Sequence, residues 1–340
     1  MYGIIDIGSN TIRLNIYRVE KDQPVLLLSK KNATGLASYI IHGRMTPDGI
    51  ARAAQVLNGF KSLLDEFNIE GFAFATAALR NIDNSAEAIQ ELTRQTGLSI
   101  VLLPGEKEAE LDFLGVTHSI PLAGGLLVDI GGASTELVVY QGKKLLKTFS
   151  MPIGSLNMYN KHVHHLIPTR SERKAIKQEV LDALAADNDF AKKIYTNISG
   201  ICGVGGTLRA ASRLNNELFD LAPDNLEINA ANIKKIIKLL ENDEEDELLS
   251  IDTLEILLKV VPDRVRTVLP GLIILHTLIK YFSIKTIQIS CTGVREGYLY
   301  DHVLKKEDTA PSAPAEPASI KDPALSGSAA KEVSSHAENA

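Results

Sequence analysis

Asp6 to Tyr17 reads DIGSNTIRLNIY and Asp129 to Tyr140 reads DIGGASTELVVY. Aligned without a gap, the two stretches coincide at the Asp, Ile, Gly, Leu and Tyr positions, and apolar residues precede both. Each reads as a buried strand, a tight glycine turn and a second, alternating strand: a β-hairpin carrying an acid near its tip. One copy alone would be a turn with an incidental acid. Two matching copies, much further apart than the roughly 20–50 residues of a solenoid unit, predict two duplicated domains that face each other.

Strand and helix patterns alternate around the copies, which predicts an α/β fold with mixed sheets. Thr46-Pro47-Asp48 is an N-cap with proline at the first helical position, and Ile50, Ala54, Leu57, Phe60, Leu64 and Phe67 follow at helical spacing. Strands are expected at Phe72–Thr76, Ser99–Leu103, Ile198–Cys202 and Thr286–Ser290. Helices are expected over Ser85–Gln95, from Glu106, over about Thr169–Leu184, after GVGGT (Gly203–Thr207), up to Phe282, and from Arg295.

The 340 residues, 45% hydrophobic and 23% charged, have the balance of a globular protein of about two domains. Cys202 and Cys291 are the only cysteines, which excludes a disulfide framework and favours a reducing, cytoplasmic setting. Asp6 breaks the only short apolar run at the N-terminus, so no signal peptide or anchor is expected there. Val268–Ile284 is interrupted by Pro270, Gly271, His276 and Lys280 and reads as a core helix. After Lys306 the composition turns to Ala, Pro, Ser and Glu, which predicts a disordered tail over 306–340. The residues after Lys306 carry a net −4 and the rest of the chain −2, a balance that argues against nucleic-acid binding.

Glycines at paired hairpin tips let backbone approach a ligand and offer N–H groups to an anion. A nearby carboxylate can hold a divalent cation that bridges phosphate oxygens. The paired loops are therefore expected to clamp a phosphate. GVGGT, with Gly205 and Gly206 between a strand and a helix, reads equally as a phosphate loop or as close strand-to-helix packing, and lacks a Walker lysine.

In chain order, MYGIIDIGSNTIRL, FATAALRN, LPGEKEAELDFLGV, LLVDIGGASTEL, GVGGTLRAA, DRVRTVLPG and GVREG resemble the exopolyphosphatase/guanosine pentaphosphate phosphatase (Ppx/GppA) family of the actin-like (sugar kinase, chaperone, actin) ATPase superfamily. The resemblance covers about Gly3 to Tyr300 and is to the short, two-domain members. It implies two duplicated ribonuclease-H-like (actin-like ATPase) domains with a cleft between them: 1–119, 120–305, then the tail. The implied activity is metal-dependent hydrolysis of the terminal phosphate of inorganic polyphosphate, or of guanosine pentaphosphate, with Mg2+ or Mn2+. No nucleic-acid or membrane partner is implied, and a homodimer is expected by fold analogy.

The resemblance also implies roles. Glu108 falls on the family's general base, a choice that residue type alone does not make over Glu106 and Glu110. Asp129, Glu136 and Asp6 are the implied metal ligands. Ser9, Asn10, Gly131, Gly132, Ser134, Thr135 and Arg80 are implied phosphate contacts, with Arg264 and Arg295 as weaker candidates. Three positions depart from the family: Ala133 for Gly, Glu110 for Arg and Cys291 for Asp. Glu110 beside a polyanion site would weaken binding of long chains, and it motivates a sensor that binds without turnover. A kinase reading lacks an acceptor pocket. Lys161–Lys177 is the main basic run and could guide a polyanion; His162, His164 and His165 within it are read as phosphate-contacting or exposed. Glu241–Glu247 is read as a solvated linker.

Overall fold

Each half of the chain begins with the expected hairpin and adds a third antiparallel strand. The computed structural model describes residues 1–21, 23–192, 195, 198, 200–241 and 251–305; the tail and most of the acidic linker lie outside them. In the first lobe β1 (Tyr2–Ile7), β2 (Ile12–Glu20) and β3 (Gln23–Asn32) form the meander, with Asp6 opposite Arg13. A small ribbon, β4 (Ile40–Ile41) and β5 (Arg44–Met45), leads to α1 (Pro47–Glu66). Then come β6 (Glu70–Ala75), α2 (Ala77–Arg80), α3 (Ser85–Thr96), β7 (Ile100–Leu102) and α4 (Gly105–Thr117).

The second lobe repeats the plan with β8 (Gly124–Ile130), β9 (Thr135–Gln141) and β10 (Lys144–Met151), Asp129 opposite Glu136. Helices α5 (Ser155–His162), α6 (Arg170–Ala186) and α7 (Asn188–Ala191) precede β11 (Ile201–Val204) and α8 (Gly205–Leu218). β12 (Glu227–Asn229), α9 (Ala230–Leu240), α10 (Ile251–Val260), α11 (Val268–Phe282), β13 (Thr286–Ile289) and α12 (Val294–Tyr298) complete it. The sheets run β3-β2-β1-β6-β7 and β10-β9-β8-β11-β13-β12. In both, the central strand pairs antiparallel with its hairpin partner and parallel with the next strand. This is the duplicated ribonuclease-H-like, actin-like architecture.

Local chemistry sets the helix ends where expected. Thr46 accepts from the Gly49 N–H at 3.2 Å, Gly97 closes α3 in the left-handed region at φ 69°, and Thr169 and Glu172 form a capping box on α6. The apolar run near residue 270 is the largely buried α11. No helix among the described residues is long and apolar enough to cross a membrane.

Two helices cross between the lobes. On α4, Ala109, Phe113 and Val116 pack against Leu127, Val138 and Tyr140 of the second sheet, while Leu111 joins Ile4, Tyr17 and Phe74 of the first. The last helix returns to that first-lobe cluster through Val294, Tyr298, Leu299 and Val303. Arg295 pairs with Asp6 at 2.7 Å, Lys107 with Asp301 at 2.8 Å, and Glu296 accepts from the Tyr17 hydroxyl. The crossing is backbone-tight: a Cβ at Gly297 would overlap the Leu111 carbonyl oxygen, and one at Gly115 the Gly293 carbonyl. Gly297→Ala is therefore expected to destabilise by about 1–3 kcal/mol through forced separation of α4 and α12, read as a lower denaturation midpoint. An unchanged midpoint would contradict this geometry.

Candidate active site

The two glycine turns meet over an interlobe cleft. A Cβ at Gly132 would stand 3.0 Å from Ser9 Cβ and 3.3 Å from the Asn10 N. Asp6, Ser9, Asn10, Asp129, Gly131, Gly132, Ala133, Ser134, Gly205 and Gly206 line the cleft, and α4 contributes Glu108. Nearly all the residues singled out for phosphate are thus brought together from both lobes.

Glu108 occupies the first turn of α4 and is buried. Arg80 donates to its Oε2 at 2.8 Å and to the Leu103 carbonyl at 2.9 Å, and its other terminal nitrogen lies 3.5 Å from both Glu136 Oε1 and Ser134 Oγ. Arg80, of which direct phosphate contact was expected, is absent from the cleft lining and pairs with the carboxylates behind it. Burial, then Glu136, push the Glu108 carboxyl well above its usual range, with Arg80 opposing. A carboxylate so raised accepts a proton more readily. Glu136 is likewise turned inward: Ser150 donates to its Oε1 at 2.9 Å, and burial followed by Asp129 push it up to about 7.

Asp129 is pushed up by burial and held back chiefly by Arg209. Gly205, at φ +78°, is needed there because a Cβ would overlap Asp129 Oδ1; one at Gly206 would overlap the Arg264 guanidinium. The glycines of GVGGT thus admit an acid and a cation to the mouth of α8. Arg13, Arg209, Arg264 and Arg295 line the same cleft. Burial, then Arg295 and Arg209, hold Arg13 down to about 10, with Asp6 opposing.

Other expectations are revised by packing. Thr135 does not reach the cleft: it alternates with Glu136 on β9, is fully buried, and donates to the Ile153 carbonyl at 2.6 Å. Glu110 points away from the cleft and lies 3.6 Å from Lys107, so its charge is not set beside the phosphate site. Part of the basic run is paired: Lys161 and His162 meet Glu179 at 2.6 Å, His164 meets Glu172 at 2.8 Å, and Arg173 meets Glu241 at 3.3 Å. Cys202 is a buried free thiol and Cys291 an exposed one. Sequence reasoning missed Asp112, Arg13 and Arg209. The i, i+4 step from Glu108 could have signalled Asp112; Arg13 and Arg209 carry no comparable local signal.

The donor chemistry suits a hard divalent cation, since the acids are carboxylates that repel one another in a desolvated cleft. The spacing does not build a complete cage. Among the described residues no three His, Cys, Asp or Glu side chains are placed to hold a metal. Of the three acids expected as ligands, Asp6 is paired with Arg295 and Glu136 with Ser150, which leaves Asp129 open.

Buried acids with raised pKa values bind more protons folded than unfolded, so they favour the fold at low pH and lose that contribution as pH rises through the shifted range. For Glu136 the window runs from its ordinary 4.5 to about 7. In EDTA, stability should fall by on the order of 1–3 kcal/mol between pH 4.5 and 7.5. Denaturant titrations across that range measure it, and a rising curve would refute the assignment.

Comparison with known proteins places the architecture. The structure matches the crystal structure of the Aquifex aeolicus member of the Ppx/GppA protein family with a TM-score of 0.71 and 28% identity, covering 90% of this chain and 98% of that one. Exopolyphosphatase 1 of Mycobacterium tuberculosis is 25% identical, over 90% of this chain and 88% of its own length. A guanosine-5'-triphosphate,3'-diphosphate pyrophosphatase of Vibrio cholerae is 26% identical over 91% of this chain. The chain spans 61% of the Vibrio protein's length and about half, 46%, of another curated relative's. The model of the Ppx/GppA phosphatase family matches residues 15–306, and the chain belongs to that family.

Proposed function

We propose that the chain is a metal-assisted exopolyphosphatase, which hydrolyses the terminal phosphate of inorganic polyphosphate and releases orthophosphate. The observation that carries this reading is Glu108, buried in a cleft between two glycine turns, held by Arg80 at 2.8 Å and facing a group of arginines. The backbone N–H of Gly132 and the hydroxyls of Ser9 and Ser134 offer donors to the terminal phosphate, while the Gly131 N–H closes the turn onto the Ser134 carbonyl at 2.9 Å. Arg13, Arg209 and Arg264 offer the following phosphates their counter-charge. Glu108 takes a proton from water as that water attacks, with Arg80 fixing the carboxylate's direction. Mg2+, or Mn2+ in its place, is the cation we assign. Asp129 would hold it, and when bound it offsets charge on the phosphate oxygens.

The likeness to the Vibrio protein supports guanosine pentaphosphate as a second candidate substrate for the same site. The outward position of Glu110 removes one reason for a sensor without turnover. Two free thiols suit a reducing cytoplasm. The test is phosphate release from long-chain polyphosphate, short-chain polyphosphate and guanosine pentaphosphate in Mg2+, by wild type beside Glu108→Gln. Fastest release from polyphosphate supports the reading; faster release from guanosine pentaphosphate replaces the substrate. Binding without release from any of the three rejects catalysis.

A further inference from the structure

The deepest acid of the cleft has no partner. Asp112 lies one turn after Glu108 on α4, so both acids share a helix face, and both line the cleft. Its side chain is fully buried and no side chain donates to either oxygen, the Val294 N–H being the nearby backbone donor. The other acids nearby are held: Asp6 by Arg295 at 2.7 Å, Glu108 by Arg80 at 2.8 Å and Glu136 by Ser150 at 2.9 Å. After burial, the strongest influences on Asp112 are Asp129, Glu108 and Glu136, all carboxylates, with the nearby Val294 N–H a weaker counterweight. A buried carboxylate in such company is strongly disfavoured unless it is protonated, paired or bound to a metal.

Space and donor type favour the metal. A Cβ at Gly293 would stand 2.9 Å from Asp112 Oδ1, and one at Gly205 would overlap Asp129 Oδ1, so both carboxylates lie directly against glycine backbone with no side chain between. The acids that line the cleft, Asp112 and Asp129 among them, offer carboxylate oxygens, donors suited to a hard cation. We propose that Asp112 joins Asp129 in holding a divalent cation of the Mg2+ or Mn2+ kind. This rests on the reading of the cleft as a cation-assisted phosphate site. Two protein carboxylates are enough, because such an ion completes its shell with water and phosphate oxygens.

The test is Mn2+ binding to the substrate-free protein, by calorimetry and by the electron paramagnetic resonance of free Mn2+. Asp112→Asn and Asp129→Asn should each weaken binding at least about tenfold, while Glu106→Gln, exposed at the outer start of α4, should leave it unchanged. In EDTA, Asp112→Asn should melt above wild type because an uncompensated buried acid is gone, and the rise in melting temperature that Mn2+ gives wild type should shrink in the variant. Unchanged Mn2+ affinity in Asp112→Asn overturns the proposal, as does a variant that melts lower in EDTA, which would make the carboxylate structural. A wild type that binds no Mn2+ overturns it too. Phosphate release by wild type is measured separately: release with an unaltered Asp112→Asn affinity rejects only the ligand role, whereas no release from any substrate rejects the hydrolase reading.

Discussion

Glu108→Gln is expected to lower phosphate release from polyphosphate by about 10²–10⁴-fold, the usual worth of a positioned general base, while the protein stays folded. Glutamine keeps the shape and still offers an oxygen to Arg80, so the 2.8 Å bond has a successor. What it cannot do is take a proton. Because the native carboxyl is buried and raised mainly by that burial, its neutral replacement should leave the melting temperature level or slightly higher. The discriminating pattern is a collapse of kcat with KM little changed, since the base acts on water and makes no contact needed to hold the chain. A comparable loss in Glu106→Gln or Glu110→Gln, with Glu108→Gln active, would reassign the base.

Arg80→Ala is expected to cost both fold and function. Arg80 is the cation between Glu108 and Glu136, with its side chain 15% exposed and theirs 10% and 1%. Removing one partner of a buried pair leaves an uncompensated charge and destabilises by about 3–5 kcal/mol. The sign with pH follows. Without Arg80 both acids rise further, so the folded variant holds protons that the unfolded chain releases, and its deficit should be smaller at pH 5 than at pH 8. Denaturation of Arg80→Ala at the two pH values reads this directly. Arg80→Met combined with Glu108→Gln should recover part of the stability and none of the activity. A deficit equal at both pH values would mean that Arg80 acts by packing alone.

The hairpin repeat, the N-cap at Thr46 and the helix from about Thr169 were legible because each depends on residues a few positions apart. Turn chemistry, strand alternation and helical period act over that range. The same locality made the third strands hard to see. β3 is mostly exposed along its length, so it shows no buried alternation. Pattern matching likewise grouped the glycine turns with Glu108, Asp129 and Arg80, but not what each side chain would face.

The order of residues alone therefore determined two duplicated α/β lobes, the glycine turns at their meeting point and an acid-rich helix start after Pro104. Only the tertiary structure decided which acids of that helix look into the cleft, since Glu106, Glu108, Glu110 and Asp112 are close in sequence and differ in what packs around them. It also turned Thr135 into the sheet, drew Arg80 to Glu136 across 56 residues, and returned the last helix to the first lobe so that Arg295 reaches Asp6 across 289. The physical reason is one of range. Backbone form follows from neighbours along the chain, whereas burial and charge, which set a carboxylate's proton affinity and its partner, are properties of groups that only folding brings together.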